Sequence, residues 1–91
     1  NAETANLTRA VHAGMRQAHA CTLALQEDLL LTGGVHERVA RARSGAPDAT
    51  LSELAAELDL ARSTVQRALA EIERRVRAAQ AGDHSAGQPL R

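Results

Sequence analysis

Between Thr50 and Leu69 the chain reads TLSELAAELDLARSTVQRAL, and no other stretch restricts the fold so tightly. Thr50 followed three residues later by Glu53 is a capping box: the threonine hydroxyl accepts from a free amide of the first helical turn, and the glutamate reaches back to the threonine N–H. A helix therefore starts at Leu51, with Leu51, Leu54, Ala55 and Leu58 on its inner face. After the break at Asp59-Leu60-Ala61, apolar residues resume at Val65, Ala68, Leu69, Ile72 and Val76, which is the spacing of a second helix opening near Ser63. The apolar residues form a regular frame and the polar ones hang outside it, where an enzyme site would gather its polar groups around a pocket. Two short helices joined by a turn of three or four residues are the minimum unit that holds a helix proud of a protein surface.

The rest of the chain supports the same class. With no Phe, Tyr or Trp, a core must be built from Leu, Val, Ile, Met and Ala, which pack best along close helix faces. Proline occurs only at Pro47 and Pro89, and no run alternates at strand period, so the expected class is all-α. A chain of 91 residues makes one small, marginally stable domain. From about Ala5 to Leu31, Leu7, Val11, Met15, Ala18, Thr22, Leu25 and Leu29 recur at the spacing of one helix face, and Thr32, Gly33 and Gly34 are expected to end that helix. A shorter helix is expected over Val35 to Arg43, with Val35, Val39 and Ala42 on one side, followed by the loop Ser44 to Ala49. The helix opening near Ser63 runs on towards Gln80, helped by Glu71 with Arg75 and Glu73 with Arg77. Three segments result: residues 1–33 as a long N-terminal helix for dimerisation or bracing, 34–80 as a three-helix module, and 81–91 as a disordered tail.

The formal net charge is zero, but its distribution is uneven. Arg62 to Arg77 holds five Arg against Glu71 and Glu73, while Asp48 to Asp59 carries only acids, so the average hides a local basic face. The single cysteine, Cys21, cannot form an intramolecular disulfide, which points to a reducing, cytoplasmic setting. No apolar run is long enough to span a bilayer, and no signal-peptide pattern is present. The chain begins at Asn1 and not Met, as a processed chain or a piece of a longer one would. His12 and His19 share a helix face near Cys21, but two histidines and one thiol do not supply a closed tetrahedral metal set, so no metal and no cofactor is expected. A phosphate loop, a nucleophile beside a base and room for a deep pocket are all lacking, which argues against an enzyme.

LSELAAELDLARSTVQRAL resembles the helix-turn-helix of bacterial transcription regulators, and STVQRALAEIERR is similar to that of the lac-repressor and GntR families. The resemblance covers Leu51 to Glu73, about a quarter of the chain. It makes Ala55 the small residue at the helix crossing, Leu60 the apolar plug of the turn and Val65 the residue that packs the second helix onto the first. Such motifs usually carry Gly in the turn; this chain has Asp59, one of the few other residues that visit the left-handed region at modest cost. Winged relatives follow with two strands, but RVRAAQAGDHSAGQPLR lacks β-branched alternation, so no wing is expected. The resemblance implies double-stranded DNA as the partner, with the last helix entering the major groove. Arg62, Ser63 and Arg67 would then face bases, Thr64 and Gln66 bases or phosphates, and Arg74, Arg75 and Arg77 phosphates or glutamates of their own helix.

The N-terminal segment either folds back over the module or pairs with its twin. Pairing is the expectation, because a two-fold homodimer reads a palindrome and Ala10, Ala13, Gly14 and Ala18 permit close approach. The leading function is therefore sequence-specific DNA binding in a transcriptional regulator, or in a plasmid or phage control protein. The competing one is a helical adaptor that docks another regulator or a polymerase subunit.

Overall fold

A computed structural model describes residues 2–86, with side chains over 11–81. It contains α1 (Ala2–Gln26), α2 (Val35–Gly45), α3 (Leu51–Leu58) and α4 (Arg62–Ala86), and no strand among the described residues. The fold is all-α, as expected.

The capping box forms at α3: Glu53 N–H donates to Thr50 Oγ1 at 3.0 Å and Thr50 N–H to Glu53 Oε1 at 2.8 Å. At its other end Asp59 takes the left-handed conformation (φ 58°, ψ 47°). Leu60 N–H then reaches Ala55 O at 2.9 Å and Asp59 N–H reaches Ala56 O at 3.4 Å, so two carbonyls that a helix end leaves open are used. α1 ends by the same device, which the sequence reading missed. Asp28 has φ 56°, Leu29 N–H donates to Ala24 O at 2.9 Å, and Asp28 N–H to Leu25 O at 3.4 Å. The helix therefore stops at Gln26, before the Thr32-Gly33-Gly34 expected to end it. Gly33 serves the start of α2 instead: at φ 81° it donates its N–H to Glu37 Oε1 at 2.8 Å.

Val65, Ala68, Leu69, Ile72 and Val76 of α4 are all buried, together with Leu54 and Ala55 of α3 and Val39 and Ala40 of α2. Each large side chain among them contributes roughly 1.5–3 kcal/mol on leaving water. α1 packs on α2 and α4 and adds Cys21 and Ala24 to this same core. In the single chain, then, the second half of α1 lies against α2 and α4. Its inner face also differs from the one expected: Val11 and Met15 are 45% and 58% exposed and Thr22 is exposed, while Gly14, Ala18, Cys21 and Ala24 face inward. Close approach selects the small residues. A Cβ on Gly14 would lie 2.1 Å from Pro47 O, so only glycine permits the contact between α1 and the α2–α3 loop.

That loop is organised by Arg43 of α2, which is 3% exposed. Its Nη1 donates to the carbonyls of Ala46 (3.1 Å), Pro47 (3.1 Å) and Ala49 (2.8 Å). Burial lowers its pKa, and the nearby Asp48 carboxylate opposes that shift. α4 continues past Gln80 to Ala86, so the first part of the tail expected to be disordered is helical; residues 87–91 lie outside the described residues.

Candidate nucleic-acid interface

α4 is held proud of the surface by three packing positions. Ala55 is buried where α3 crosses α4, Val65 is fully buried one turn into α4, and Leu60 is half-buried against the core, plugging the turn. Arg38 of α2 adds a clamp that the sequence reading did not foresee: its Nη2 donates to Leu58 O at 2.8 Å, tying α2 to the last turn of α3. A guanidinium suits the place, since a helix C-terminus presents open carbonyls and a partial negative charge.

With one side of α4 fixed inward, the other is set by helical period. Arg62, Ser63, Gln66 and Arg67 are exposed and Thr64 is half-buried. Ser63, Arg67, Ala70 and Arg74 stand at intervals of four, three and four, which places them along one outward line. Ala70 was not singled out from the sequence. An exposed alanine between two arginines leaves the helix surface low there, and its methyl suits contact with a thymine methyl.

The arginines separate into two groups. Arg62 and Arg67 have no carboxylate partner among the described residues. Arg74 and Arg75 both pair with Glu71, the latter through Nε at 2.9 Å, and Arg77 Nη1 lies 3.9 Å from Glu73. Arg75 in turn, then Arg74, holds the Glu71 carboxyl below the usual carboxylate range. Arg75 is half-buried and turns inward, its Nη1 lying 3.5 Å from Leu29 O, so it links α4 to the α1–α2 connection. Of the eight residues expected to meet DNA, the structure brings Arg62, Ser63, Gln66, Arg67, Arg74 and Arg77 to the exposed side, with Thr64 at its edge and Arg75 off it.

Cys21 is fully buried and His12 and His19 are exposed, so the three do not converge. Among the described residues no group of three or more His, Cys, Asp or Glu stands close enough to hold a metal. Likewise no described helix is long and apolar enough to cross a membrane.

No curated protein and no solved structure matches the chain. A family model does: the one described as the WhiA C-terminal HTH domain matches residues 1–76, taking in α1, α2, α3 and α4 as far as Val76. The match bears out the helix-turn-helix and does not confirm the finer likeness to the lac-repressor and GntR families. On a match over most of its length, carried by a helix-turn-helix whose packing positions are filled as described, the chain belongs to the family of WhiA C-terminal helix-turn-helix domains.

Proposed function

We propose that this domain binds double-stranded DNA sequence-specifically, with α4 in the major groove, and acts in transcription regulation or plasmid or phage control by occupying an operator. The observation that carries the reading is that Arg62 and Arg67, the two α4 arginines without a carboxylate partner among the described residues, sit in its first two turns beside Ser63 and Gln66. An arginine can donate two hydrogen bonds to guanine O6 and N7, glutamine can bracket adenine N6 and N7, and serine or threonine can meet either base or phosphate. In this reading Arg62, Ser63 and Arg67 face bases and Thr64 and Gln66 share bases and phosphate. Arg74 and Arg77 meet phosphate in competition with Glu71 and Glu73. Arg75 is more a structural link than a DNA contact.

The exposed Val11 and Met15 of α1, one turn apart, supply apolar surface for pairing two copies, which a palindromic operator would need. An adaptor role has one observation in its favour: Leu31 is 81% exposed and Val35 38%, an apolar spot at the start of α2. Salt separates the two readings. Binding to duplex DNA should weaken steeply between about 50 and 200 mM salt because phosphate contacts release counterions. Affinity for DNA that does not respond to salt, or none even at low salt, favours the adaptor.

A further inference from the structure

An open groove of about 550 Å³ runs between the first turn of α2 and the flank of α4 that faces it. Val35 and His36 form its α2 wall; Thr64, Arg67, Glu71 and Arg74 are its main α4 lining. With Arg75 also present, three guanidiniums meet one carboxylate, so the groove is net positive. Glu71 stays ionised and holds Arg74 and Arg75 in place. Arg75 is turned inward, whereas the Arg74 side chain is 72% exposed. Glu37, beside His36 in sequence, is occupied elsewhere by the Gly33 N–H and by Arg41.

The position of this groove fixes what it meets. A helix with its side chains is about 10–12 Å across and the major groove about 12 Å wide, so a helix whose outward line points at base edges has its flanks against the sugar–phosphate walls. With the line Ser63, Arg67, Ala70 and Arg74 toward the duplex, the groove opens on the α2 side of that line, where Arg67, Ala70 and Arg74 form its rim, and so lies on such a flank. We propose that it seats one backbone phosphate of the bound duplex, with Arg74 supplying the charge and His36 and Thr64 donating hydrogen bonds. The assignment rests on α4 being the DNA-reading helix. It adds a residue of α2, His36, to the interface, and it makes Glu71 a built-in competitor for the guanidinium that the phosphate recruits.

The experiment is equilibrium binding of the full 91-residue chain to an end-labelled mixed-sequence duplex of about 20 base pairs, over about 50–200 mM salt. Arg74→Gln should lower the slope of log affinity against log salt by about one. Glu71→Gln should tighten binding, which a loss of folding would not do. His36→Gln should weaken binding several-fold on its own and add little in the Arg74→Gln background, because both residues serve one phosphate. An unchanged slope in Arg74→Gln, or fully additive losses, would overturn the phosphate seat while leaving DNA binding intact. Failure of the unsubstituted chain to bind the duplex at low salt would instead remove the DNA reading and this assignment together.

Discussion

Asp28 and Asp59 occupy the same conformation for the same reason. Each sits at positive φ just past a helix end, and each is followed by a leucine that turns back toward the core, Leu29 in one case and Leu60 in the other. A left-handed non-glycine residue costs about 1–2 kcal/mol, least for Asp and Asn, so the strain is modest here and would not be for a branched side chain. Asp59→Val should therefore lower stability by about 1–2 kcal/mol in a denaturant melt followed by circular dichroism, whereas Asp59→Gly should match or exceed the parent. Equal losses for both would mean that the carboxylate itself, and not the backbone angle, matters at the turn. A second residue gives a pH test. Burial pushes the Cys21 thiol from 9.0 up to about 12, Arg43 opposing the shift and Glu73 adding to it. The chain has neither Lys nor Tyr, and Arg43, whose pKa burial lowers, acts in the opposite direction, its folded form giving up a proton more readily than the unfolded chain. The folded state keeps a proton that the unfolded state loses, so the thiol's contribution to stability should be constant below about pH 9 and fall as pH rises toward 12. Cys21→Ala should abolish that fall; an identical alkaline decline in the variant would show that the thiol is not its source.

At the scale of elements, the docking of α1 is the feature least legible beforehand. Periodicity weights large apolar side chains, and for α3 and α4 this was enough, because Leu54, Val65, Leu69, Ile72 and Val76 are both the large residues and the buried ones. In α1 the large residues Val11 and Met15 face solvent, and the contact is made by Gly14, Ala18, Cys21 and Ala24, whose signal in hydropathy is weak. The end of α1 was misplaced for a related reason: two adjacent glycines are a stronger visible stop than an aspartate whose turn depends on Leu29 finding the core. Arg43 could not be anticipated either, since its burial is compensated by three loop carbonyls that only the folded chain brings together. Gly14→Ala tests the docking directly. In an isolated helix that change favours helix by about 1 kcal/mol, but here the new methyl would meet Pro47 O. The variant should lose about 1–3 kcal/mol of stability, as overpacking against backbone does. A stabilised variant would mean that α1 does not lie against the α2–α3 loop.

For the molecule as a whole, the four helices share one core, and the surface left over is organised around α4. The side of α4 that faces outward was legible from its sequence, because once the inner positions are set by period the outer ones follow. The fate of each arginine was not, since pairing with Glu71 or Glu73 and the inward turn of Arg75 depend on side-chain geometry. Arg38 and His36 were invisible for a different reason: they belong to α2, and only tertiary packing brings Arg38 to Leu58 O and His36 to the groove beside α4. In the proposed function the first turns of α4 read bases. Selection of bound fragments from a random duplex pool with the parent chain and with Arg67→Ala, followed by affinities for the enriched site and for random DNA, puts this to the test. If Arg67 reads a base, the parent enriches a defined site, and Arg67→Ala costs about 1–3 kcal/mol on that site with little change on random DNA and a relaxed preference at one position. No enriched site with the parent, or equal losses on both DNAs, would contradict base reading by Arg67.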